Sequence, residues 1–100
     1  MQIVVDSNRP DTDELRERVP ARLQFALRRF SRAVQSARVR LTDVNGPRQG
    51  ADKQCLVQLR LQPRGTVVVV TRADDWVQAF NRALASAIRL MLRQLRKVRR

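Results

Sequence analysis

Arg82, Arg89, Arg93, Arg96 and Arg100 recur at intervals of seven, four, three and four residues. They lie on a stretch, Trp76 to Arg100, that holds seven basic residues and no carboxylate. On a helix turning about 100° per residue, these five guanidinium groups fall within about 40° of one direction. Lys97 adds a sixth cation on the same segment. A guanidinium fork grips phosphate through two parallel hydrogen bonds and stacks flat on aromatic rings. The chemistry on offer is therefore capture of a phosphate-bearing polymer, not bond making. An ordinary solvated helix face mixes both signs, because opposite charges one turn apart support a helix and like charges repel. Here the second sign is missing. A looser row repeats the design upstream: Arg18, Arg22, Arg29 and Arg32, with Arg28 at the edge and Phe25 among them. Two readings of Phe25 stand at this point. Either a bend at Pro20 turns it into packing, or it stays outside as a stacking surface for a base.

Acid–base and nucleophilic chemistry find no footing. Histidine is absent, and the single cysteine, Cys55, sits in a strand-like segment where a free thiol is ordinarily core. Neither a nucleophile–base arrangement, an internal disulfide nor a thiol-based metal site can be built. Asp11, Asp13, Glu14, Glu17, Asp74 and Asp75 cluster at two helix starts, where caps and the helix dipole account for them. Asp6, Asp43 and Asp52 remain, scattered over strand ends and a loop. The segment "GPRQG" lacks the Gly-Lys-Ser/Thr end of a phosphate loop and opens no helix. No catalytic residue, cofactor or metal is expected, and the chain reads as no enzyme.

Nineteen arginines and two lysines face nine carboxylates, a formal charge of +12 over 100 residues. Such an excess is the electrostatic footprint of a nucleic-acid binder. Zinc-ligand spacing, paired aromatics and helix-turn-helix spacing are all missing, so structured RNA read through shape and backbone is the expected partner, with no DNA. The length fits one domain, residues 1–100, with a two-layer core. No apolar run approaches the roughly 18 residues of a membrane span. The start "MQIVVDSN" lacks the basic and apolar regions of a signal peptide, so a cytoplasmic location is expected.

The elements that must position these cations are legible from periodicity. Residues 2–6 read as a strand and residues 12–34 as an amphipathic helix on Leu15, Val19, Leu23, Ala26, Leu27, Phe30 and Val34, with Asp11 and Glu14 as a capping box and Pro20 as a kink. "ARVRLTDV" alternates as a strand, with Val39 and Leu41 inward and Arg40 outward. "NGPRQGAD" is a loop, "QCLVQLRL" a strand with Cys55, Val57, Leu59 and Leu61 inward, "QPRG" a turn and "TVVVVTR" a strand. Asp74 and Asp75 cap a last helix over 75–98, whose Phe80, Leu84, Ala87, Met91, Leu95 and Val98 lie opposite the arginine row. The order β-α-β-β-β-α predicts an α+β two-layer sandwich. Its four-stranded mixed sheet pairs the first two strands in parallel through a right-handed crossover and carries both helices on one face.

That order, with "MQIVVDSN", "DTDELRERVPARLQFALRRF", "VRLTDVNGPRQGADKQC" and above all "DDWVQAFNRALASAIRLMLRQLRK", resembles the ribosome hibernation-promoting factor family. The family includes the ribosome-associated inhibitor and proteins once called sigma-54 modulation proteins. The resemblance implies binding to the small ribosomal subunit in the channel between head and body, over the messenger RNA and anticodon positions, and silencing of translation in stationary or starved cells. It implies contact with ribosomal RNA through basic residues of both helices, among which Arg22, Arg89 and Arg93 match basic positions of the family. With the helical rows, the candidate rRNA-binding set is Arg18, Arg22, Arg29, Arg32, Arg82, Arg89, Arg93, Arg96, Lys97 and Arg100. Three features depart from the pattern: Trp76-Val77 stands where Tyr is common, Pro20 interrupts the first helix, and the chain matches the short form, expected to be a monomer off the ribosome. A general structured-RNA or ribosome-assembly module is the alternative. A helix lying on anionic lipid is disfavoured, because the sheet needs its apolar face.

Overall fold

A computed structural model describes residues 1–44 and 52–98. Of the turn-rich segment expected over 45–52, only Asp52 falls within the described residues, and Arg99 and Arg100 fall outside them. Six elements follow in order: β1 (Gln2–Asp6), α1 (Asp13–Ala26), β2 (Val34–Asp43), β3 (Lys53–Leu61), β4 (Thr66–Ala73) and α2 (Trp76–Val98). The strands lie in the order β1-β2-β3-β4. β1 pairs parallel with β2, and β2, β3 and β4 form an antiparallel meander. The α+β sandwich expected from the sequence is the one observed.

Register explains where the core sits. Val5, Val39, Val57 and Val69 lie in one row across the four strands, and Ile3, Ala37, Leu59 and Val67 in the next. Side chains alternate across a strand, so both rows face the same layer. Leu15, Val19, Leu23 and Leu27 cover them from the first helical segment, and Ala79, Phe80, Ala83, Leu84, Ala87 and Met91 from α2, in one continuous cluster. Each large side chain fully buried there contributes about 1.5–3 kcal/mol. The other sheet face, with Val4, Arg40, Val68 and Val70, stays open to solvent. The chain reverses between β3 and β4 where Leu61 N–H donates to Gly65 O at 2.8 Å, with Gly65 at φ +109°. Only glycine holds that φ without strain.

The first helical segment differs from expectation. α1 ends at Ala26, eight residues before the predicted boundary at 34. Leu27 leaves helical geometry, a short 3-10 turn covers Arg28–Phe30, and Ala33 N–H closes onto Phe30 O. Val34 is already strand, buried and paired with Leu61. A β-branched residue gains more on the pleated sheet than at the end of a fraying helix. The apolar spacing Leu27, Phe30, Val34 therefore served a turn and a strand, which periodicity alone cannot separate. The capping box does not form either: Thr12 is the N-cap residue of α1 and makes no side-chain cap bond. Its hydroxyl donates to Arg9 O at 2.7 Å, while Asp11 is taken by Trp76. Pro20 lies inside α1 without ending it. The cap of α2 is as expected, with Gln78 N–H donating to Asp75 Oδ1 at 2.7 Å.

Candidate nucleic-acid interface

Topology sorts the charges. α1 and α2 run side by side in the same direction. Asp11, just before α1, accepts a hydrogen bond from Trp76 Nε1 at the start of α2 (3.0 Å); further along, Arg22 donates to Asn81 Oδ1 (2.7 Å). Beyond the end of α1, residues Arg29 and Arg32 share a cleft with Arg96 near the end of α2. Strand register places Asp6, Asp43, Lys53 and Ala73 at the end of the sheet where both helices begin. All nine carboxylates therefore lie at one end of the molecule, within strand ends, a loop root and the first turns of the helices. Residues 18–42 and 76–98, the two stretches that pass through the opposite end, carry cations and no carboxylate. The chain measures 47 × 22 × 16 Å, and α2 alone spans about 34 Å at 1.5 Å per residue. The two poles are thus separated by more than the roughly 8 Å Debye length of physiological salt.

Part of the acidic end is paired internally. Asp43 and Asp52, with side chains only 4% and 5% exposed, lie 3.0 and 3.8 Å from Lys53 Nζ. Lys53 also sits over the Trp76 ring, 5.4 Å from its centroid. Its hydrogen bond to Asp43 holds the ammonium above the ordinary lysine pKa; burial opposes this, and Asp43, Asp52 and Asp11 add their charges to it. Arg9 bridges Asp11 and Asp43. Sequence reasoning saw these carboxylates as scattered and Trp76 as a departure from a pattern. Together they staple the start of α2 to the root of the β2–β3 loop. The signal was Lys53, directly next to Asp52 in the sequence.

The basic end is not neutralised. Among the described residues, every ion pair uses Arg9, Arg18, Arg38, Arg40 or Lys53 as its cation. Two clefts flank the last turns of α2, and neither has a carboxylate in its wall. The larger, about 630 Å³, is lined by Arg29, Arg32 and Arg96 together with Phe30, Leu92 and Leu95. The smaller, about 210 Å³, has Arg93 and Lys97 beside Leu90 and β4. By contrast, the cleft between the helix starts contains Asp11, Glu14 and Asp75.

The ten predicted positions divide accordingly. Arg29, Arg32, Arg93, Arg96 and Lys97 gather at the basic end, exposed and without an ion-pair partner. Arg29 and Arg32 reach it from the turns after α1, not from a helical face. Arg89 is exposed and bound only to Ser86 Oγ, at 3.0 Å. Arg82 donates to Arg72 O at 3.2 Å, and Arg18 is paired with Glu14 at 2.8 Å, towards the acidic end. Arg22 bridges the helices and lies over the buried Phe80 ring, 5.5 Å from its centroid. Arg100 lies outside the described residues. Phe25 does not turn into packing: it is 69% exposed, with Arg28 stacked 4.2 Å from its ring centroid. Leu90 and Leu92 were missed as site residues because they fall about 100° to either side of the core direction of α2.

Cys55 is buried, and burial pushes its thiol up to about 12, so it stays a neutral core group. Among the described residues no group of carboxylates or cysteine is arranged to hold a metal ion, and no helix is long and apolar enough to cross a membrane. With this geometry in view, a family model described as sigma 54 modulation protein / S30EA ribosomal protein matches residues 4–100. No curated protein matches the chain.

Proposed function

The chain belongs to the sigma 54 modulation protein / S30EA ribosomal protein family, a family of ribosome-associated modulators, and from that premise we propose that it binds the small ribosomal subunit at the decoding channel. Bound there, it inhibits translation without chemistry of its own, as a cytoplasmic, single-domain, non-enzymatic hibernation factor. The observation that carries this reading is the carboxylate-free end of the molecule, where Arg29 and Arg32 from the turns after α1 meet Arg93, Arg96 and Lys97 from the end of α2, with Arg89 leading to them along the helix. Like charges cost free energy when they are gathered, and a partner dense in phosphate repays that cost by releasing its counterions. Ribosomal RNA has that density, and arginine suits it better than lysine because its fork matches phosphate geometry. The acidic end is turned away from such a partner. The molecule enters the channel with its basic end leading and its acidic end outward.

Cosedimentation with purified subunits, followed by chemical footprinting of the bound small subunit, tests the reading. Protection in the decoding channel, with loss of in vitro translation, is the expected result. Protection elsewhere on the subunit identifies a general RNA-binding or assembly module of the same fold. Absence of cosedimentation overturns the ribosomal reading altogether.

A further inference from the structure

The larger basic cleft has a composition that phosphate contacts alone do not explain. Arg29, Arg32 and Arg96 line it together with Phe30, Leu92 and Leu95, each left only half-buried, and with Ser31, Ala33 and Gln62. Leu92 is no part of the hydrophobic cluster, and Phe30 and Leu95 pack against it while remaining partly open. A surface built only to track a duplex backbone needs cations and hydroxyls, not open apolar groups at its centre. Guanidinium groups beside an aromatic ring form a stacking platform for an unpaired base, with the phosphates left for the same arginines. The volume, about 630 Å³, lies within the range of roughly 300–1,000 Å³ typical of small-ligand sites.

We propose that this cleft receives one unstacked nucleotide of an RNA strand, its base on Phe30, Leu92 and Leu95 and its phosphates on Arg29, Arg32 and Arg96. The inference rests on the ribosomal reading above and adds to it a point of single-strand recognition. Contact along the Arg89 and Arg93 line is a backbone contact; contact in the cleft distinguishes unpaired from paired RNA. The strand must therefore present a loop, bulge or end to this end of the protein.

Methyl and aromatic NMR spectra of the full chain test the proposal. The titrants are a short single-stranded RNA, a blunt RNA duplex, a nucleoside monophosphate and inorganic phosphate. The single strand is expected to shift the Leu92 and Leu95 methyl and Phe30 ring signals, while duplex and phosphate leave them in place. Leu92→Glu sets a carboxylate among the three arginines and should abolish those shifts. Ala85→Glu makes the same change in net charge on an exposed position of α2 outside the cleft and should preserve them. Leu92→Glu should also weaken small-subunit binding about tenfold more than Ala85→Glu does, the worth of one stacked base. Equal shifts from phosphate or duplex would show an anion cleft with no base, and overturn the proposal. So would a monophosphate binding as tightly as the strand, with both variants equal on subunits, since the site would then serve a free nucleotide. Cosedimentation of the parent chain with silent cleft signals overturns this inference and leaves the ribosomal reading standing. Loss of cosedimentation removes both. The titrations use the parent chain, so they decide the matter even if Leu92→Glu does not fold.

Discussion

Salt dependence gives the sharpest access to the charge asymmetry. Six cations of the candidate set, Arg29, Arg32, Arg89, Arg93, Arg96 and Lys97, have no carboxylate partner among the described residues. If each neutralises one phosphate, log affinity should fall against log salt with a slope of about −4 to −5.5, taking about 0.7–0.9 per contact. Across a fourfold rise in potassium that is a loss of roughly 300- to 2,000-fold. Arg96→Ala should flatten the slope by just under about one unit. Arg40→Ala should leave it unchanged, because Arg40 projects from the open sheet face at the acidic end and lies 3.9 Å from Asp6. Arg18→Ala should also leave it unchanged, because Glu14 already holds that guanidinium. The assay is a set of subunit-binding isotherms at several potassium concentrations for the parent and the three variants. A flat response in the parent refutes phosphate-dominated binding. Equal slope losses for Arg96 and Arg18 would refute the polar arrangement, and equal losses for Arg96 and Arg40 would place the RNA on the wrong face.

Other outcomes follow from the same geometry. Arg89→Glu with Arg93→Glu should weaken subunit binding by about 100-fold or more while circular dichroism stays unchanged, since both side chains are exposed. Leu84→Ala should lower unfolding free energy by about 2–5 kcal/mol in denaturant titrations, through a cavity in the cluster shared with Phe80 and Met91. Asp11→Ala removes the acceptor of Trp76 Nε1 and should cost about 1 kcal/mol, with a change in tryptophan fluorescence. Cys55 ionises near 9 when unfolded but near 12 when folded, so its contribution to stability is whole below pH 9 and is lost as pH rises towards 12. Unfolding free energy should therefore fall between pH 8 and pH 10 in the parent, and fall less in Cys55→Ala.

How much of this was legible in the sequence depends on which physical signal each residue carried. The sheet was legible apart from the start of β2, because its strands alternate cleanly, and Val39, Val57 and Leu59 had no other face to choose. α2 was legible to within a residue, because its apolar and basic arcs lie opposite each other and Asp75 marks its start. The end of α1 was not. Leu27, Phe30 and Val34 kept helical spacing while the backbone turned, and only pairing with β3 reveals that Val34 belongs to the sheet. Asp11 matched a capping box, yet its partner Trp76 is remote in sequence. Long-range partners of this kind leave no periodic trace. Phe25 shows the same limit: its exposure follows from where α1 packs, which the chain's own spacing does not state.

The helical wheel gave rows of arginine on two adjacent helices. The structure gathers part of those rows at one end of the molecule. Because β1 and β2 are parallel, α1 between them runs back against both, and the meander of β2, β3 and β4 then sends α2 in the same sense as α1. Acidic residues favoured at both helix starts are thereby collected at one pole, and the basic residues of both C-terminal segments at the other. The N-terminal arginines Arg18 and Arg22 are drawn into structural duties, against Glu14, Asn81 and Phe80. The turn arginines Arg29 and Arg32, which the wheel placed on a helix that is not there, become neighbours of Arg96 across a cleft. Shortening α1 thus does more than move a boundary. It bends the chain back under the end of α2 and closes the basic pole around Phe30 and Leu92, so the feature that sequence periodicity read wrongly is the one that builds the cleft.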